Sequence, residues 1–178
     1  NAILAGDALI IEAFKILSNF KKEILIEFSN SVGAQGVIAG QVSDLSAEDQ
    51  KPSAELLKFI HTNKTAKLIK ASVKIGALVS NASEAQINKL SLFGEKIGLA
   101  FQIKDDILDQ ISSSKKIGKT TNSDTSKGKM TYPSVYGLNE SKSIMKNLFN
   151  ESIDEIDSLD IDTKFLKKIS EYIINRDT

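Results

Sequence analysis

With 178 residues, the chain is long enough for one domain with a sizeable core. Its 23 Lys and Arg balance 23 Asp and Glu, so net charge points to neither nucleic acid nor an anionic membrane, and a single arginine argues against bidentate base readout. No cysteine and one histidine exclude disulfides, thiolate metal sites and multi-histidine metal sites, and fit a reducing compartment.

The first residue is Asn1, already inside an apolar-periodic segment, so the chain is expected to be a fragment. The start does not read as a signal peptide, and no apolar run reaches the roughly 18–20 residues of a membrane span. Ala8, Ile11, Ala13, Phe14 and Leu17 recur at helical spacing and predict a first helix running towards Asn19. Ile24, Ile26 and the stretch from Val32 to Val42 predict a second. Pro52 marks a loop, Leu56 to Ile60 a short turn, and Ala66 to Val79 a third helix. Ser83 and Glu84 open the longest one, which continues through Leu90, Phe93, Ile97, Phe101 and Ile107 to about Ile111. Residues 112–130 are polar and read as a long loop, of a length that is usually functional or disordered. Helices resume around Ser134–Leu138, Ser141–Leu159 and Lys164–Ile174. With no strand alternation and no internal repeat, the fold class is all-α.

The most informative segment is Asp105-Asp106-Ile107-Leu108-Asp109, set in the most apolar helix. Asp105 and Asp109 are one turn apart and share a face, about 6 Å apart along the axis. Gln102, Gly98 and Glu95 extend that face backwards. Like charges at this spacing weaken a helix, whereas a divalent cation reverses the sign. Carboxylate oxygens in a shell completed by water and phosphate suit Mg²⁺. The bland reading is a solvated acidic face. Against it stand the apolar context, Gly98 to Gln102, and the scarcity of lysine partners four residues on.

Residues 98–109, GLAFQIKDDILD, resemble the second aspartate-rich motif of the isoprenyl diphosphate synthases. GDALIIEAFKIL (6–17), GQVSDL (40–45), HTNKT (61–65), GKT (118–120), KGKMTYP (127–133) and YIINR (172–176) follow in the family's order. The likeness covers essentially the whole chain and is most like bacterial farnesyl diphosphate synthases. It implies an all-α antiparallel helical bundle of the isoprenoid synthase type around a central cavity, of which residues 1–178 form the C-terminal portion of a single domain.

The resemblance also implies site roles. Asp105, Asp106 and Asp109, with Asp44 as a further ligand, bind Mg²⁺. Lys64 and Thr65 bind the allylic substrate and, with Gln102, face the developing carbocation. That suits their chemistry, since amide and hydroxyl oxygens present negative dipole ends to positive charge. Gln41, Phe101, Lys119 and Lys129 line the substrate, the two lysines against its diphosphate. Asp124 is implied near the metal shell through water. His61 reads as structural, Lys67, Lys70 and Lys74 as a wet basic face, and Arg176 as an ordinary terminal charge. Gly33, Gly36, Gly40 and Asp44 fall on one helical face, where small residues admit a neighbouring helix.

The implied reaction is head-to-tail condensation of isopentenyl diphosphate with an allylic diphosphate, giving farnesyl diphosphate. No nucleic acid partner and no stable membrane insertion are expected; a homodimer and a cytoplasmic setting are family expectations. The first aspartate-rich motif and the isopentenyl diphosphate pocket of the family have no counterpart here, so the isolated chain is expected to be inactive. Alternatives are a geranylgeranyl or longer-chain synthase, a class I terpene cyclase, and a non-catalytic prenyl-synthase subunit or helical interaction protein.

Overall fold

The computed structural model describes residues 1–48, 51, 53–117 and 129–176, the side chains of 113–117 excepted. Among them every regular element is helical: α1 (Ala2–Leu17), α2 (Lys22–Val32), α3 (Val37–Ser46), α4 (Ala54–His61), α5 (Lys67–Val79), α6 (Glu84–Ile117), α7 (Tyr132–Tyr136), α8 (Leu138–Asp157) and α9 (Lys164–Asn175). The all-α reading holds.

Several boundaries differ from the sequence reading. The helix expected across residues 24–42 is broken into α2 and α3 at Gly33–Gly36, where the Gly36 N–H donates to the Gly33 carbonyl. A Cβ at residue 36 would come within 1.9 Å of the Ser31 carbonyl oxygen, so the chain reverses here only because that residue is glycine. Gly33 and Gly36 therefore flank α3 rather than sharing its face with Gly40 and Asp44. The turn expected at Leu56–Ile60 is helix α4, opened by Ser53, whose hydroxyl accepts the Leu56 N–H. It continues into α5 through a π-helical turn, Thr62–Ala66. Helix α6 is longer than expected and reaches Ile117. Ser83 and Gln86 cap it reciprocally, side chain to backbone in both directions. Helix α7 starts two residues early, because Thr131 and Ser134 form a capping box with Pro133 in the first turn.

Helix α6 is the spine. Leu90, Phe93, Ile97 and Ala100 pack with Ala77 and Ile156 of α5 and α8. Further along, Ile103 and Ile107 pack with Leu57, Ile60, Met130 and Tyr132. Glycine brings α5 and the π-helical turn before it unusually near: added Cβ atoms at Gly94 and Gly98 would lie 2.8 Å from the Cα atoms of Lys70 and Ala66. Ion pairs, most of them half-buried, tie the helices laterally. Lys70 meets Glu95 at 2.6 Å, Lys74 meets Glu27 at 2.6 Å, and Lys96 meets Glu155 and Glu151 at 3.0 and 3.2 Å. Lys67 donates to the Gln35 carbonyl. The face Lys67–Lys70–Lys74 is thus engaged with α6, α2 and the turn that follows α2, not wet; pairing of this kind is invisible until the helices are docked. No helix among the described residues is long and apolar enough to cross a membrane.

Candidate active site

The site assembles where the π-helical turn crosses α3 and α6. A π turn holds one extra residue, which widens the helix and turns side chains out of the regular 3.6-residue pattern. Lys64 and Thr65 lie in it. On one side, Gly40 of α3 allows the approach: a Cβ there would fall 2.2 Å from the Lys64 backbone nitrogen. One turn further along α3, Asp44 accepts from Lys64 Nζ at 2.5 Å. On the other side, Gly98 of α6 seats Ala66, and one turn further Gln102 reaches Thr65. The Thr65 hydroxyl donates to Gln102 Oε1 at 2.8 Å. Two glycines, each four residues before one of the candidate side chains, fix this constellation.

The three aspartates divide. Asp105 is half-exposed and paired with Arg176, which also lies over the Phe101 ring at 4.3 Å from its centroid. Arg176 is therefore no ordinary terminal charge; it is folded back onto the acidic motif. Asp109 is exposed. Asp106, expected as a metal ligand beside them, is 3% exposed and turned into the protein. Its Oδ2 accepts the Tyr132 backbone N–H at 2.9 Å and lies 3.4 Å from His61 Nε2, while Oδ1 lies 3.4 Å from Gln102 Nε2. Successive residues on a helix are about 100° apart, so adjacent acids cannot face one ion equally. Burial pushes the Asp106 carboxyl up to about 6, against the Tyr132 and Gln102 hydrogen bonds and the charge of Lys129. Burial likewise pushes His61 down to about 4, with Asp44 acting the opposite way and Lys129 and Lys64 reinforcing it. His61 is neutral at pH 7. It stacks on Tyr132, centroids 5.2 Å apart.

Among the described residues no three acidic or histidine side chains converge as a ready metal cage. Asp105 and Asp109 still offer hard oxygen donors on one side of α6, which fits Mg²⁺ bound chiefly through water and phosphate. Asp44 is engaged by Lys64. Gln41 is exposed on α3, and Phe101 is half-buried. Lys129 is exposed, near enough for its charge to act on Asp106 and His61. Lys119 and Asp124 lie outside the described residues. Sequence reasoning missed the Asp106–His61–Tyr132 cluster. The sequence signal was its apolar setting, since a carboxylate among Ile103 and Ile107 has to find donors.

The sequence profile of the polyprenyl synthetase family matches residues 1–168. The chain is 37% identical over 181 residues to a farnesyl diphosphate synthase of Micrococcus luteus, covering 98% of this chain and 62% of that protein. It is 39% identical over 184 residues to a geranylgeranyl diphosphate synthase of Cyanophora paradoxa, with 98% of this chain and 61% of that one covered. A geranyltransferase of Helicobacter pylori, solved with magnesium and isoprenyl diphosphate, superposes with a TM-score of 0.75 at 32% identity, over 98% of this chain and 59% of the other. The chain therefore spans about three fifths of the length of the relatives it matches. By profile, by identity and by fold, this chain belongs to the polyprenyl synthetase family.

Proposed function

We propose that the chain is the C-terminal part of an isoprenyl diphosphate synthase domain, joining isopentenyl diphosphate head-to-tail to an allylic diphosphate. The observation that carries this reading is the Thr65–Gln102 pair at 2.8 Å, beside Lys64 and one and two turns before Asp105 and Asp109 respectively. In the reaction, the allylic C–O bond breaks and pyrophosphate leaves with the electron pair. The isopentenyl double bond attacks the allylic carbon, forming the new C–C bond, and a proton passes from the adduct to the departing pyrophosphate. Lys64 and Lys129 hold phosphate oxygens as point charges. Thr65 and Gln102 direct oxygen atoms at the developing allylic charge. Asp105 and Asp109, with Asp44 as a third carboxylate, would hold magnesium, which when bound supplies charge neutralisation of the leaving group. No nucleophilic side chain is required.

Farnesyl diphosphate is our preferred product. A geranylgeranyl product is the second reading, favoured by the Cyanophora paradoxa relative at 39% identity. A homodimer and a cytoplasmic setting belong to the same reading and rest on resemblance. The test is incubation of the complete protein with magnesium, labelled isopentenyl diphosphate and dimethylallyl, geranyl or farnesyl diphosphate, with product length read by chromatography. Label confined to a fifteen-carbon product is expected. Extension of farnesyl diphosphate would support the second reading, and no condensation with any primer would sink both. The isolated 178-residue chain is expected to give no turnover.

A further inference from the structure

Resting on the prenyl-transfer reading, we infer that Asp106 is a positioning residue: it fixes which end of the Gln102 amide faces the reacting carbons, and does not ligate metal. Thr65, Gln102 and Asp106 form one hydrogen-bonded chain. An ionised carboxylate only accepts, so the Gln102 atom facing Asp106 Oδ1 must be its NH₂. That leaves Oε1 on the other side, where the Thr65 hydroxyl donates to it at 2.8 Å. The amide dipole is thereby locked with its negative end towards Thr65. Asp106 is itself held from behind. The Tyr132 backbone N–H donates to Oδ2 at 2.9 Å, and His61 Nε2 lies 3.4 Å from the same oxygen. His61 Nδ1 is buried without a hydrogen-bond partner, as expected if the proton is on Nε2 and directed at Asp106. Among the described residues, the Tyr132, Gln102 and His61 nitrogens all face the Asp106 carboxylate, and the residue is only 3% exposed.

An asparagine at 106 has the same shape but can turn an NH₂ towards residue 102. Gln102 would then reverse, aiming its own NH₂ at Thr65 and the allylic cation, the wrong sign for catalysis. A glutamate at 102 restores an acceptor on both sides once residue 106 can donate.

In the complete enzyme, Asp106→Asn is expected to lower kcat roughly 100- to 1,000-fold, the scale of one lost preorganised dipole. The allylic diphosphate KM and the magnesium concentration for half-maximal rate should stay within about twofold of wild type, since neither contact is touched. Gln102→Glu alone sets two anions against each other and should also lose kcat. The double variant Asp106→Asn/Gln102→Glu should exceed both singles. Burial already opposes the charge at 106, so the neutral isostere folds, and melting curves verify it; Gln102→Glu against the double variant gives a second comparison at a solvent-nearer position. An unchanged kcat in Asp106→Asn overturns the inference, as does a raised magnesium requirement, which marks a metal ligand, or losses that simply multiply in the double variant. Failure of the wild-type enzyme to condense any substrate would instead overturn the prenyl-transfer reading on which the inference rests.

Discussion

His61 and Asp106 are 3.4 Å apart, both nearly excluded from water, and burial pushes them in opposite directions along the pH scale. The folded chain prefers neutral His61, whose pKa is pushed down to about 4 from 6.5. Between those values the unfolded chain binds more protons than the folded one, so folding is penalised as pH falls. The stabilisation from a neutral His61 is complete above about 6.5 and drains away towards 4. Asp106, pushed up to about 6 from 3.8, works the other way over much of the same range and flattens the total. A difference measurement separates the two. In urea titrations, the stability of wild type minus that of His61→Gln should be constant above pH 6.5 and shrink steadily on acidification to 4. A gap that widens on acidification would mean His61 is charged in the fold.

Helix contacts turn on a few glycines, and the cost of a methyl group there depends on what faces it. Gly40 has the Lys64 backbone 2.2 Å from where a Cβ would stand, and Gly98 has the Ala66 Cα at 2.8 Å. Backbone cannot step aside as a side chain can, so Gly40→Ala and Gly98→Ala should each cost at least about 1–3 kcal/mol, read from denaturation midpoints. On the proposed prenyl-transfer reading, Gly40→Ala should also depress turnover of the complete protein beyond its effect on stability, because α3 can yield only by displacing the turn that carries Lys64 and Thr65. Gly76 is the control. It is exposed on α5 with nothing within 4 Å of an added Cβ, so Gly76→Ala should raise stability by roughly 0.5–1 kcal/mol through helix propensity alone. If all three substitutions behave alike, close helix approach is not what selects glycine at 40 and 98.

At the scale of the whole molecule, α1 stands apart. None of its residues is buried, while Ile3, Leu4, Leu9 and Ile11 are between 67% and 81% exposed. An apolar surface of this kind on an isolated chain favours association. The 178-residue chain alone should bind a fluorescent apolar probe and elute from size-exclusion columns as an assembly. Leu4→Lys and Leu9→Glu together should weaken both signals while leaving the denaturation midpoint of the core nearly unchanged. A large drop in that midpoint would mean α1 contributes to the fold.

Helical periodicity and the spacing of Lys64, Thr65, Gln102, Asp105 and Asp109 were legible in the amino acids alone, because a 3.6-residue repeat assigns residues to faces without knowing what those faces meet; the break at Gly33–Gly36 was not, since it depends on where the Ser31 carbonyl comes to stand. The family was legible for the same reason, through ordered motifs along one chain. Tertiary structure decided the rest. Asp105 and Asp106 are neighbours in sequence, yet only the docking of Tyr132, far along the chain, makes one face outward and the other a buried acceptor. Lys70 and Lys74 resemble a solvated stripe until α6 and α2 bring Glu95 and Glu27 to them. Arg176 acquires its place over Phe101 only when α9 folds back. Local pattern specifies which side chains share a surface; burial, pairing and charge state depend on the surface opposite, and that is contributed by residues dozens of positions away.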